Sequence, residues 1–172
     1  MCGIVGYVKG SKPIEAKLLT NMMVRLFVAS QSRGRDATGF AYIDNTTGKM
    51  VVKKAPVTAG QFIEEIRAVE WDKADIFIGH TRAGTHGSPQ QNENNHPIVS
   101  KLTNMALTHN GIVRSNRKLK QDGEVDSEII LRLVERKKNV VEGIRYAYQN
   151  YWGSASFAII GESFPETLYL VR

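Results

Sequence analysis

The chain opens Met1-Cys2-Gly3-Ile4-Val5-Gly6-Tyr7-Val8-Lys9-Gly10. Residues 2–9 set β-branched and aromatic side chains between glycines, the pattern of a strand. The single cysteine of the sequence heads that strand. No internal disulfide can form, so the thiol is either a small hydrophobe or a reagent. A residue as small as cysteine permits removal of the methionine ahead of it. Removal would leave a thiol of pKa roughly 8.5 and an α-amine of roughly 7.7–8.0 on one residue. Only a terminal residue can offer its own amine as base to its own side chain. Taken alone, a structural cysteine early in a core strand is the simpler account.

Outward from that strand, the 172 residues fit one domain, 1–172, large enough to bury a core. Hydrophobic residues make up 42% and charged residues 23%, ordinary for a globular chain. No apolar run approaches the ~20 residues that span a bilayer, and the N-terminus lacks the basic segment of a signal peptide. The expectation is a cytoplasmic protein without a membrane partner. The net charge of +6 is spread along the chain, denser at Arg114, Arg117, Lys118 and Lys120 and at Arg132, Arg136, Lys137 and Lys138. No aromatic residue lies inside either stretch, so they read as solvated faces and no nucleic acid is expected.

Apolar spacing predicts a helix over 14–30, using Ile14, Leu18, Leu19, Met22, Met23, Leu26 and Phe27. Residues 38–44 and 49–55 read as a hairpin about Asn45-Thr46-Thr47-Gly48. A helix is expected at 58–68, capped by Thr58, with Phe62, Ile63 and Ile66 inward. Strands follow at 74–81 and 105–109, separated by an aperiodic surface loop from Arg82 to Pro97 of a length that tends to be functional. Helices are predicted at 115–121, capped by Ser115, at 126–137, capped by Asp126, and at about 139–151. Strands at 154–161 and 167–172 close the chain. Hairpins alternating with helices imply packed layers of sheet and helix, α+β, and not a doubly wound nucleotide fold.

Four further segments carry chemistry. Ser32-Arg33-Gly34-Arg35-Asp36-Ala37-Thr38-Gly39 brackets charges with glycines before a strand, and a guanidinium there could hold a carboxylate or carbonyls. Gly79-His80-Thr81-Arg82-Ala83-Gly84-Thr85-His86-Gly87 runs from a strand end into a loop, where Arg82 would suit an α-carboxylate. His80 and His86 lie on an extended segment without an acidic neighbour, so a zinc site is not expected. In Thr108-His109-Asn110-Gly111 an amide and a glycine N–H could face one oxyanion, although Asn-Gly is also a frequent turn. In Gly123-Glu124-Val125-Asp126-Ser127-Glu128 the aspartate reads first as a helix cap.

In this order, the five segments resemble the glutaminase domain of the class II glutamine amidotransferases, from Cys2 to about Arg172. The resemblance implies the four-layer αββα sandwich of the N-terminal nucleophile hydrolases, with a sheet shortened at the C-terminus. It implies that Cys2 attacks the glutamine side-chain carbonyl with its own α-amine as base, and that Asn110 and Gly111 form the oxyanion hole. Arg82 would bind the substrate carboxylate and Asp126 its ammonium. Thr85 and His86 would line a closing loop, and Arg33 and Asp36 would organise the floor. No cofactor and no metal are implied. The partners would be glutamine and a separate synthetase or ligase that accepts the ammonia. Where sugar-phosphate synthase members carry a tryptophan after the arginine, this chain has Ala83. Three other accounts compete: an amidase for a different acyl amide, an idle glutamine-binding module favoured by retention of Met1, and a papain-like pairing of Cys2 with His80, His86 or His109.

Overall fold

The computed structural model describes residues 1–12, 14–119, 121 and 123–172. Among the described residues, eight strands form two antiparallel sheets of four. The first holds β1 (Gly3–Val8), β2 (Ala37–Asp44), β3 (Met50–Ala55) and β4 (Ala74–Arg82) in the order β1-β4-β2-β3. The second holds β5 (Ile98–Val99), β6 (Met105–Arg114), β7 (Trp152–Gly161) and β8 (Tyr169–Val171) in chain order.

Strand alternation assigns each sheet two apolar faces. Ile76 and Ile78 of β4 and Ala41 and Ile43 of β2 meet Ala106 of β6 and Ala158 and Ile160 of β7, one buried layer between the sheets. The intervening residues point the other way. Phe40, Tyr42 and Phe77 pack under Leu19, Met23 and Phe27 of α1 (Ala16–Ser30) and Ile66 of α2 (Ile63–Arg67). Leu107, Phe157 and Ile159 pack under α3 (Ser127–Val134) and α4 (Val140–Asn150). The order helix–sheet–sheet–helix is the αββα sandwich expected.

Several elements differ from the sequence reading. α1 begins at Ala16, and of its predicted apolar stripe Leu18, Met22 and Leu26 face outward while Leu19, Met23 and Phe27 are buried. The stripe is wider than the face that the sheet can cover. The second helix shrinks to Ile63–Arg67 and residues 59–62 ahead of it form turns, where Gln61 N–H and Phe62 N–H donate to the Thr58 carbonyl and Gln61 N–H also reaches Thr58 Oγ1 at 3.4 Å. No helix forms among the described residues of 115–121. Ser115 Oγ donates to the Asn150 carbonyl, 2.6 Å away, and so ties the segment to the end of α4. Lys120, inside that predicted helix and the first basic stretch, lies outside the described residues. Asp126 precedes α3 but makes no side-chain capping bond. By contrast, Asn139 caps α4, accepting from Val141 N–H and Glu142 N–H. The Arg82–Pro97 stretch is not wholly a surface loop, since Asn94, Asn95, His96 and Pro97 are buried. Among the described residues, no helix is long and apolar enough to cross a membrane.

Candidate active site

The between-sheet face of β4 continues past Ile76 and Ile78 to His80 and Arg82, both buried. β1 pairs antiparallel with β4 up to Gly3↔Thr81, so Cys2 stands one step on, at the level of Arg82. On β6 the same face runs Ala106, Thr108, Asn110. Alternation in three strands therefore delivers a thiol, a guanidinium and an amide to one end of the sandwich. Asn110-Gly111 lies within β6 rather than after it, and no Asn-Gly turn forms. Gly111 pairs with Ala155 of β7 in the ladder.

Cys2 N–H donates to Asn110 Oδ1 at 3.1 Å. The amide oxygen is thereby committed, and Nδ2 is the end of Asn110 left to donate. The Cys2 sulfur accepts from Ala83 N–H at 3.4 Å and lies 3.6 Å from the Ala83 carbonyl. Burial raises the Cys2 thiol above its ordinary value. The Ala83 contact, the N-terminal charge and Arg82 pull the other way. Among the described residues, no histidine bonds the sulfur. His80 is engaged by the His109 carbonyl and His109 by Ser127, so the papain-like pairing does not form.

The Ser32–Gly39 segment forms the floor. Arg33 Nε donates to the Cys2 carbonyl at 3.0 Å. Gly34 permits this turn to press on the strand end, since a Cβ there would lie 2.3 Å from the Arg82 carbonyl carbon. Asp36 N–H donates to the Arg82 carbonyl, and Asp36 Oδ2 accepts from Gly84 N–H at 2.7 Å. Both ends of the Arg82–Gly84 turn are therefore clamped by one aspartate.

Arg82 donates to Asn95 Oδ1 at 2.9 Å and to the carbonyls of His86 and Gly87. Three of the five guanidinium donors are thus held by its own loop and Asn95. Asn95 is in turn fixed by Lys54, whose ammonium donates to the carbonyls of Asn95 and Pro97 at 2.7 and 3.0 Å. Burial pulls Lys54 down to about 8, with Glu93 opposing. Asp126 Oδ2 accepts from Val113 N–H at 2.8 Å, which holds the carboxylate against β6. The sequence reading missed Asn95, Lys54 and Ser127. Asn95 adjoins His96 in the chain and Ser127 adjoins Asp126, and that adjacency was the signal available.

Two cavities meet at Cys2, Ala83, Thr85 and Gly111. A crevice of about 20 Å³ also contains Arg82, His86 and Asp126. That is room for one water and not for an amino acid. On the other side of Cys2, a cavity of about 600 Å³ is lined by Asn110, Ile112, Trp152 and Ser156. Thr85 and His86 themselves are exposed on the loop. The structure thus brings Cys2, Asn110, Gly111, Arg82, Thr85, His86 and Asp126 around one point, with Arg33 and Asp36 beneath. Among the described residues, no three His, Cys, Asp or Glu side chains are grouped to hold a metal ion.

Along its whole length the chain aligns with glutamine–fructose-6-phosphate aminotransferases (isomerizing). It is 30% identical over 183 residues to that of Aquifex aeolicus, and 31% over 185 residues to that of Caldanaerobacter subterraneus subsp. tengcongensis. The chain spans 29% and 28% of the length of these relatives. Among solved structures, the glutamine phosphoribosylpyrophosphate (PRPP) amidotransferase from B. subtilis, complexed with ADP and GMP, shares the fold with a TM-score of 0.58. It is 19% identical, and the match covers 94% of this chain and 35% of that one. A structure described as the allosteric regulatory enzyme of purine biosynthesis gives a TM-score of 0.59 at 20% identity, over 83% of this chain and 33% of that one. No protein-family model matches the chain.

Proposed function

The chain belongs to the glutaminase domains of the class II glutamine amidotransferases, and on that footing we propose that residues 1–172 form one domain that hydrolyses the side-chain amide of glutamine. The observation that carries this reading is the meeting of Cys2, Arg82 and Asp126 in one crevice, with Asn110 bonded to Cys2 N.

Met1 is 82% exposed, so its bond to Cys2 is accessible for removal. Loss of Met1 turns an amide nitrogen into an amine able to take the thiol proton. The sulfur then attacks the side-chain carbonyl carbon of glutamine. Negative charge collects on the oxygen, where Asn110 Nδ2 and Gly111 N–H donate. The protonated amine returns its proton to the leaving nitrogen, ammonia departs and a γ-glutamyl thioester remains. Water, deprotonated by the same amine, releases glutamate.

Arg82 takes the substrate carboxylate and Asp126 the ammonium. For this the carbonyls of His86 and Gly87 must leave Arg82, which opens the crevice and makes the Ala83–Gly87 loop a closing element. Thr85 and His86 on that loop come over the substrate, while Arg33 and Asp36 hold its base. Ammonia passes from the crevice to the cavity of about 600 Å³, since both border Cys2 and Ala83. Its acceptor is a synthetase or ligase outside these residues, and the setting is the cytoplasm.

Two measurements on the purified protein test the reading: intact mass, for Met1, and glutamate formed from glutamine. The processed protein should release glutamate, and Cys2→Ser should lower the rate to background. Processed protein inert with and without ammonia acceptors would sink it.

A further inference from the structure

Three imidazoles lie buried behind the site. His80 and His96 stack with ring centroids 4.1 Å apart. Ser127 Oγ lies 2.7 Å from His96 Nε2 and 2.9 Å from His109 Nδ1. Every member lies within two residues of a residue of the site in sequence. His80 precedes Arg82 by two on the same strand face, His96 follows Asn95, His109 precedes Asn110, and Ser127 follows Asp126.

One contact in this group has a direct geometric consequence. Pairing of β5 with β6 ends at Ile98↔Leu107, so among the described residues that edge of β6 has no strand neighbour beyond Leu107. There His80 Nε2 lies 2.9 Å from the His109 carbonyl oxygen. A carbonyl only accepts, so Nε2 carries the proton. That oxygen belongs to the peptide unit joining His109 to Asn110.

We propose that His80 is a positioning residue for Asn110: its Nε2–H fixes the peptide plane from which the oxyanion-binding amide projects, and the His96–Ser127–His109 bonds brace that peptide from the α3 side. The proposal rests on the reading of Asn110 as an oxyanion donor. Ser127 has one hydroxyl hydrogen for two imidazoles, so one ring must donate to it while the other accepts. That pattern suits neutral rings. Burial keeps them neutral, with His80 pushed down to about 3 and His96 and His109 lowered as well. Displacement of a catalytic group by ~1 Å can cost about a hundredfold in rate.

The test compares His80→Leu with His80→Gln in the Met1-processed chain. Leu fills the space without a donor, whereas the Gln amide presents an N–H near the place of Nε2. Leu should cut kcat by about a hundredfold with KM for glutamine changed less than about twofold, and Gln should restore at least tenfold of the loss. The Asn110 side-chain amide resonance should move in the Leu variant and return in the Gln variant. Equal damage in both variants, or a loss confined to KM, would overturn the proposal. Nitrogen shifts of His80 in the unmutated protein give a readout free of activity and of variant folding. A bare Nε2 refutes the proposal even if no glutamine is hydrolysed. A protein inert toward glutamine with protonated Nε2 and a shifted Asn110 amide in the Leu variant instead supports the positioning and removes the glutaminase reading.

Discussion

At Gly111 the backbone takes φ +148°, and a Cβ would lie 1.9 Å from the Ser154 carbonyl oxygen. That oxygen belongs to β7, which is paired to β6 along its length and cannot yield as a flexible side chain would. Gly111→Ala should therefore destabilise the fold by about 2–3 kcal/mol, read from the denaturant midpoint, because the added methyl meets main chain in a conformation that alanine resists. A variant as stable as the parent would show that the strand can relax there. Asn110 and Gly111 were legible in the sequence as an oxyanion-type pair, because their residue types already carry the chemistry. Their place was not. An Asn-Gly dipeptide signals a turn locally, and only the ladder with β7 keeps it extended.

Arg82 is set by an element that sequence periodicity could not describe. The stretch 92–97 contains one short 3-10 turn, at Asn92–Asn94, and otherwise has no repeating structure. It is held by single contacts: Asn95 Oδ1 on Arg82, and Lys54 on the carbonyls of Asn95 and Pro97. Lys54→Met keeps most of the apolar stem and removes the donor. The loop should then hold Arg82 less firmly, raising KM for glutamine roughly fivefold, about 1 kcal/mol, with kcat little changed. An unchanged KM would mean that Asn95 needs no support from β3. Elements that could be read differ from those that could not in the reach of the contacts that set them. β1, the β2–β3 hairpin and α4 carry a period, a turn glycine or a capping asparagine within a few residues of sequence. The failed helix at 115–121 had a capping serine, but that hydroxyl found the Asn150 carbonyl, 35 residues away in the chain. Lys54 and Asn95 act across distances of the same kind.

Across the whole molecule, the two sheets close on an apolar layer at their centre and on the histidine group at one end. The strands that build the apolar layer were legible in the sequence, while the assembly of His80, His96 and His109 needed the fold itself. Its cost appears on acidification. Each ring is held neutral in the folded state, its pKa lowered from 6.5 first by burial. Arg82 acts in the same direction on His80 and His96, Lys54 on His96, and Asp126 opposes at His109. Unfolded, the rings protonate below about 6.5 while the native ones do so only at lower pH, so stability is intact above 6.5 and falls as pH drops below it. His80 then contributes about 1.4 kcal/mol per pH unit, and His96 and His109 add in the same direction. By pH 4.5 the accumulated loss from His80 alone, whose native value is about 3, is about 2.7 kcal/mol, a sizeable part of the stability of an ordinary domain. The carboxylates whose pKa values are lowered, Asp44, Asp75 and Glu162, start from 3.8 to 4.5 and act below this window. Urea midpoints followed from pH 7.5 to 4.5 should therefore fall below 6, with net uptake of protons on unfolding and a smaller slope in His80→Gln. A stability that stays level from pH 6.5 to 5 would show that the buried rings already bind protons in the native protein.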